Sequence, residues 1–312
     1  MIEIQNLYKS IGALTILKGI SLNIDRGEIV GFLGPNGAGK TTLMRIITTY
    51  WPPTSGRVKV GGLDSNRDAL KIRRLIGYLP ETPPLYPDMT VRDYLKFAAE
   101  LKCVPRRQIV PQVDRALEEC DLKEMAPRAI GVLSRGFRQR VGIAQAIIHD
   151  PEILILDEPT EGLDPHQILK VRQLIQKFEG QRTVILSTHI LSEVELIAKR
   201  VVLIQAGEIV VDASLQNLLE REPLRTIYVR TQGQRETLEA VLKSIPGMGP
   251  FDIQNKDGNN LLAQIRLSKD QEGIKARLIT ALNHEGLPLL ELWDKRPSLE
   301  EIFLSKTREC LP

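Results

Sequence analysis

The chain has 312 residues, 42% hydrophobic and 26% charged, with a net charge of +3. That is ordinary globular composition at a length that suits two domains with a sizeable core. The charge balance is too mild for the concentrated basic stripe of a nucleic-acid binder, so no nucleic-acid partner is expected. The clusters Arg106–Arg107 and Arg135, Arg138, Arg140 read as solvated helix faces. Three widely spaced cysteines, Cys103, Cys120 and Cys310, show no metal spacing and fit a reduced, intracellular setting. The start MIEIQNLYKS lacks an apolar leader core, and no run approaches the roughly 18 apolar residues of a membrane span. Any membrane role is therefore expected to come through a partner.

From residue 1 to about 218, strand and helix patterns alternate. A β-rich run EIVGFLG (28–34) precedes a helical stretch at 40–50; RLIGYLP (74–80) precedes another at 90–102, where Thr90 and Asp93 make a capping box. A helix at 139–149 leads to the strand EILILDE (152–158), a helix at 166–178 to RTVILSTH (182–189), and a further apolar run, RVVLIQAGEIVV, covers 200–211. Near-continuous apolar strands such as ILIL predict a parallel sheet covered on both faces.

The pattern changes around Glu220–Pro223. A strand at 226–231, a helix at 234–245, a hairpin over 251–267 turning at Asp257–Gly258, a helix at 270–286 and a strand at 287–294 give the order βαββαβ, that of a ferredoxin-like unit. A last helix is predicted from Ser298, with Glu301 completing a capping box. No catalytic constellation lies in this part, and an interaction or regulatory role is expected for it.

The first chemical signal is GPNGAGKTT (34–42), which fits G-x-x-x-x-G-K-[ST] directly between a strand and a helix. Gly34, Pro35, Asn36, Gly37, Ala38 and Gly39 supply a tight loop whose backbone N–H groups point at phosphate, with the positive end of a helix dipole behind them. Lys40 reaches the β- and γ-phosphates and the Thr41 hydroxyl ligates Mg²⁺, with Thr42 next in the helix. Asp157, at the end of ILIL, adds the carboxylate that a hard cation needs. Glu158 follows where the chain leaves the strand, placed to act as general base on a water in line with the γ-phosphate. His189 ends the strand TVILST at the same edge, placed to donate to the γ-phosphate or the attacking water. LSRGFRQR (133–140) has the features of a second anion site: a serine opening a helix and a glycine that admits close approach. Asp164 in EGLDP stands just before a helix, and its spacing also suits a plain helix-start aspartate.

Together GPNGAGKTT, LSRGFRQR, ILILDEPT, GLD and STH stand in the order and spacing of ATP-binding-cassette ATPases. Over residues 1 to about 220 the chain resembles the nucleotide-binding subunit of an ABC exporter. Its tail PSLEEIFL resembles the C-terminal extension of drug, polysaccharide and gliding-motility exporter subunits. The resemblance implies an α/β fold: a P-loop NTPase ABC cassette over 1–220 with a mainly parallel core sheet and a helical subdomain at about 82–150. A small α+β accessory domain, ferredoxin-like by the pattern above, would follow over 221–312.

The resemblance also implies ATP and Mg²⁺, and two cassettes paired head to tail as a homodimer or with another cassette. Ser134, Arg135 and Gly136 of one cassette would then cap the ATP held by the other, with Asp164 in the loop between them. A separately encoded transmembrane permease would hold the pair at the cytoplasmic face of the membrane, docking near residues 79–97.

Three positions depart from the family pattern. Glu81 replaces the usual glutamine, and a carboxylate accepts hydrogen bonds where an amide also donates them. Arg135 and Phe137 replace the second and fourth residues of serine-glycine-glycine-glutamine. Ile11 stands near where an aromatic ring commonly stacks on adenine. Two alternatives stay open. A soluble cassette acting on ribosomes or DNA is disfavoured by the single phosphate loop and the lack of a long coiled-coil insertion. A module that holds ATP without turnover is disfavoured by Glu158 and His189.

Overall fold

The computed structural model describes residues 1–221, 225–255, 260–267 and 273–295. Its contacts divide it into two compact units, Met1–Leu215 and Gln216–Pro312. Among the described residues no helix is long and apolar enough to cross a membrane.

The first unit runs β1 (Ile2–Ile11), β2 (Leu14–Ile24), β3 (Ile29–Leu33), α1 (Lys40–Ile47), β4 (Ser55–Val60), β5 (Leu63–Asp64), α2 (Ala69–Leu75) and β6 (Ile76–Leu79). It continues through α3 (Val91–Leu101), α4 (Arg106–Glu119), α5 (Arg135–Ile147), β7 (Ile153–Asp157), α6 (Pro165–Gln176), β8 (Thr183–Thr188), α7 (Leu191–Ile197), β9 (Arg200–Gln205) and β10 (Glu208–Ser214). Six strands form the core sheet in the order β10-β9-β3-β8-β7-β6, parallel except for β10. Every residue of β3, β7 and β8 is buried, which is why these strands read as unbroken apolar runs. Because all the parallel strands point one way, the ends of β3, β7 and β8 open on one edge, where the phosphate loop, Asp157 and His189 follow.

A second sheet, β2-β1-β4-β5, is antiparallel. Helix α1 lies between the sheets: its Leu43, Met44, Ile46 and Ile47 share one core with Ile2, Ile4 and Leu17 on one side and Phe32, Ile155 and Ile185 on the other. Removing any of these side chains would leave a cavity in a close-packed interior, a loss of about 2–5 kcal/mol for a leucine or isoleucine cut to alanine.

One expectation changes. The run 200–211 is not one strand; it turns back at Ala206–Gly207, both at positive φ, so that Gln205 pairs with Glu208. The helical stretch at 139–149 extends back to Arg135 and opens at Ser134, as read from LSRGFRQR: the Ser134 hydroxyl accepts a hydrogen bond from the Phe137 N–H (3.4 Å) and so caps it.

α8 (Leu215–Arg221) leads to the second unit, which consists of β11 (Arg225–Gln232), α9 (Arg235–Ser244), β12 (Phe251–Asn255), β13 (Asn260–Leu267), α10 (Ile274–His284) and β14 (Leu289–Lys295). Its four strands are antiparallel in the order β12-β13-β11-β14. Leu238, Val241 and Leu242 of α9 and Ile274, Leu278 and Leu282 of α10 share a core with Ile227, Val229, Ala263 and Ile265 of the sheet. β13 alternates buried and less buried residues, the period-two signature of a sheet covered on one face. The turn expected at Asp257–Gly258 and the helix expected from Ser298 with Glu301 lie outside the described residues.

Candidate active site

The loop after β3 owes its path to glycines. A Cβ on Gly34 would lie 2.2 Å from the Ile204 carbonyl oxygen. Gly39 sits at φ 109°, where a Cβ would also meet Leu17 at 2.7 Å. The chain therefore bends over the end of β3 with its backbone exposed to a cavity of about 430 Å³. Lys40 begins α1, is only 6% exposed, and donates to the carbonyl oxygens of Gly34 (2.6 Å) and Pro35 (3.3 Å). Its ammonium is thus held at the mouth of the loop, within 3.7 Å of Glu158 Oε1.

Asp157 ends β7 and is 1% exposed. Its Oδ1 accepts from the Ser187 hydroxyl (2.5 Å) and from the Thr41 hydroxyl (3.4 Å). Its Oδ2 is buried with no hydrogen-bond partner. A buried carboxylate oxygen left without a donor is costly, and here it stands beside a hydroxyl from another element. Two hard oxygen donors converging in this way fit Mg²⁺, which takes few protein ligands and keeps its waters. Tyr78, on the neighbouring strand, keeps its proton: burial, reinforced by the Asp157 charge, pushes its phenol up to about 12.

Glu158 adopts a left-handed backbone, φ 47°, a conformation that costs a non-glycine residue of order 1 kcal/mol or more and is held by its surroundings. Its N–H donates to Ser187 Oγ at 3.0 Å. The reversed backbone turns its side chain away from that of Asp157 and into the cavity. There Oε2 lies 2.9 Å from His189 Nδ1, and the carboxylate is 8% exposed.

The cavity is lined by all the loop residues from Pro35 to Thr42 together with Glu81, Glu158, Glu161 and His189. Four elements distant in sequence have therefore brought a phosphate-type loop, a cation, three carboxyl side chains and an imidazole to one sheet edge. Such a set can bind a polyphosphate, hold a divalent cation and take a proton from a water.

Ser134, Arg135 and Gly136 are not among the residues lining this cavity. Exposed Ser134 caps α5, and the Arg135 guanidinium lies against Gly162, where a Cβ would come within 2.2 Å of Arg135 Cζ. Gly136 permits contact with Gln167, whose side chain would meet a Cβ at 2.5 Å. Asp164 caps α6, its Oδ1 accepting from the Gln167 N–H at 2.9 Å. Leu14 and Ile16 line the cavity, and Ile11 is not among its lining residues. Ile11 pairs with Leu14 across the β1–β2 turn, and the period-two alternation of β2 then turns Leu14 and Ile16 to the same side. Ser187, whose hydroxyl joins Asp157 to Glu158, was not singled out in the sequence although STH had marked its strand end. A larger cavity, about 720 Å³, lies between α9 and α10, where Arg277, His284 and Glu285 stand among small side chains such as Ala240, Ser244 and Ala276.

Comparisons with known proteins bear on the same region. A family model described as ABC transporter matches residues 17–161. Over 97% of the chain there is 36% identity to the bacitracin transport ATP-binding protein BcrA of Bacillus licheniformis, covering 96% of that protein. The linearmycin resistance ATP-binding protein LnrL of Bacillus subtilis (strain 168) is 31% identical over the whole chain and 99% of its own length. Among solved structures, a dimeric ATP-binding cassette in a post-hydrolysis state bound to ADP and Pi matches with a TM-score of 0.63 at 29% identity, covering 69% of this chain and 99% of that one.

Proposed function

The chain belongs to the ABC transporter family as an ATP-binding, ATP-hydrolysing subunit, and on that premise we propose that it powers an exporter as one half of a head-to-tail cassette pair. The observation that carries this reading is the separation of two anion sites. The loop at Lys40 belongs to a complete hydrolytic set, whereas the capped N-terminus of α5 at Ser134 lies outside that cavity. Ser134, Arg135 and the Gly136 N–H of one copy close over the γ-phosphate held by the other, with Asp164 in the loop beside them. The free N–H groups and dipole of a helix start suit that anion. The dimeric state named for the similar cassette supports this arrangement.

Thr41 and Asp157 would hold Mg²⁺, which when bound would supply positive charge to offset that of the phosphate oxygens. Lys40 exchanges its loop carbonyls for phosphate oxygens. Glu158 takes the proton of a water attacking the γ-phosphorus as the bond to the leaving ADP oxygen breaks. His189, within hydrogen-bond distance of Glu158, orients that water or donates to the γ-phosphate. Closure of the pair excludes water and strengthens each fixed donor. Loss of the bridging γ-phosphate then lets the pair open, and that motion is passed on.

The receiver is a separately encoded membrane permease, which places the chain on the cytoplasmic face of the membrane. The resistance and transport roles in the names of LnrL and BcrA support export, and both relatives extend through the second unit. Residues 79–97, with the Tyr86–Tyr94 and Tyr86–Phe97 ring pairs, form the docking region at the start of a helical subdomain of residues 82–150. The second unit is an accessory domain of ferredoxin-like type; its antiparallel order β12-β13-β11-β14 supports that reading.

Glu158→Gln tests the site. Turnover should fall by about 10²- to 10⁴-fold while ATP still binds and an ATP-dependent dimer accumulates on size-exclusion chromatography. Wild-type turnover in that variant removes Glu158 as base.

A further inference from the structure

Helix α7 carries a buried carboxyl that the hydrolytic set does not use. Glu193 is 3% exposed, and among the described residues no cation pairs with it. A carboxyl buried without a cation destabilises a fold unless its hydrogen bonds are made, so its partners matter. Both are hydroxyls on the same oxygen: Thr160 Oγ1 donates to Glu193 Oε2 in a short contact, and Thr188 Oγ1 donates to it at 3.4 Å.

Those threonines flank the chemistry. Thr160 lies two residues after Glu158, and Thr188 immediately precedes His189. Thr188 Oγ1 also accepts from the Ile190 N–H at 3.0 Å, so its hydroxyl is fixed from both sides. The helix that carries Glu193 is itself seated. Val194 packs against Gly31 of β3 so closely that a Cβ there would lie 2.4 Å from Val194 Cγ1. Glu193 is thereby referenced to the strand that delivers the phosphate loop. Ser187 ties the two catalytic strand ends together on one side, through Asp157 and the Glu158 N–H, and Glu193 ties the chain segments beyond them on the other.

We propose that Glu193 is a positioning residue for hydrolysis: by accepting from Thr160 and Thr188 on one oxygen, it sets the distance between Glu158 and His189. The inference rests on Glu158 being the general base. An error of about 1 Å in a reacting group can lower a rate by about 100-fold, so a strut acting at this point governs turnover more than binding. ATP is gripped mainly by the loop and Lys40, which Glu193 does not touch.

The test uses the full chain and steady-state ATP turnover, with KM for ATP and the thermal midpoint measured alongside. Glu193→Ala should lower kcat by about 10- to 100-fold and leave KM for ATP near its wild-type value. Glu193→Gln should retain most of the turnover, because one amide oxygen can accept from both hydroxyls. Thr160→Val, which removes one donor only, should lower kcat, Thr160→Ser should restore it, and Thr160→Val combined with Glu193→Ala should be no worse than Glu193→Ala alone. If Glu193→Ala does not fold, the two Thr160 variants decide the matter. Wild-type kcat in Glu193→Ala, an equal defect in Glu193→Gln, or a Thr160→Val enzyme with unchanged kcat overturns the proposal. Glu158→Gln, assayed in parallel, separates the two readings: full activity there refutes the base itself, whatever the Glu193 series gives.

Discussion

The imidazole Nδ1 of His189 lies 2.9 Å from Glu158 Oε2, while the Lys40 ammonium stands 3.7 Å from the other oxygen of the same carboxylate. Glu158 is thus flanked by a group that can orient a water and by the cation that meets the phosphate. With Lys40 directed to the Gly34 and Pro35 carbonyls, the loop keeps its shape around its own cation. An incoming triphosphate competes for that ammonium and offers it stronger, charge-assisted bonds. In the proposed mechanism, nucleotide entry would therefore alter the surroundings of Glu158 through Lys40.

Asp157 should govern metal dependence. Its unpartnered Oδ2 and the adjacent Thr41 hydroxyl are the donors proposed to hold the cation, and the Ser187 hydroxyl donates to Asp157 Oδ1. Asp157→Asn should shift the Mg²⁺ titration of ATP turnover upward by about tenfold or more, with a smaller shift for Ser187→Ala. An unchanged Mg²⁺ midpoint in Asp157→Asn would place the cation elsewhere.

Glu81 sits on the cavity wall as a carboxylate facing the phosphate site. Glu81→Gln removes a like-charge repulsion and adds an N–H donor, so KM for ATP at fixed Mg²⁺ should fall about two- to fivefold. A rise in KM would show instead that the carboxylate helps to hold the cation.

Much of this site was legible because its residues belong to local patterns. Lys40 and Thr41 follow from a loop motif framed by strand and helix, and Asp157 from a buried strand that ends in an acid. What could not be read were relations across strands. The left-handed backbone of Glu158, the double role of Ser187 and the Glu193 bridge arise only once β7, β8 and α7 are packed together. Leu14 and Ile16, which line the cavity beside the loop, carry no sequence motif and were not singled out. The hairpin at Ala206–Gly207 was hidden because alanine is an uncommon residue at positive φ, so the apolar run looked continuous. The antiparallel sheet of the first unit also escaped notice: β1 and β2 are long but partly exposed, and register shifts break the alternation of β1.

His149 should make stability depend on pH. Burial, reinforced by the Lys102 charge, pushes its imidazole down to about 4, while Nε2 lies 3.2 Å from the Ile76 carbonyl oxygen. Below about pH 6.5 the unfolded chain takes up a proton that the folded chain refuses until about 4. The stability held above pH 6.5 is therefore lost as pH falls through that window, by about 1–2 kcal/mol at pH 5. Urea midpoints at pH 7 and pH 5 should differ less for His149→Gln than for the wild type. Equal pH slopes would show that His149 titrates normally in the fold.

The paired arrangement is tested most directly by mixing two inactive chains, Lys40→Ala and Ser134→Arg. Each alone should lack turnover, the first because its loop cannot hold ATP and the second because its helix cannot cap it. A crosslinked heterodimer of the two contains one site built from an intact loop and an intact Ser134 helix, and it should hydrolyse ATP. Full turnover by Ser134→Arg alone, or no turnover by the crosslinked heterodimer, would contradict the sharing of each nucleotide between two copies.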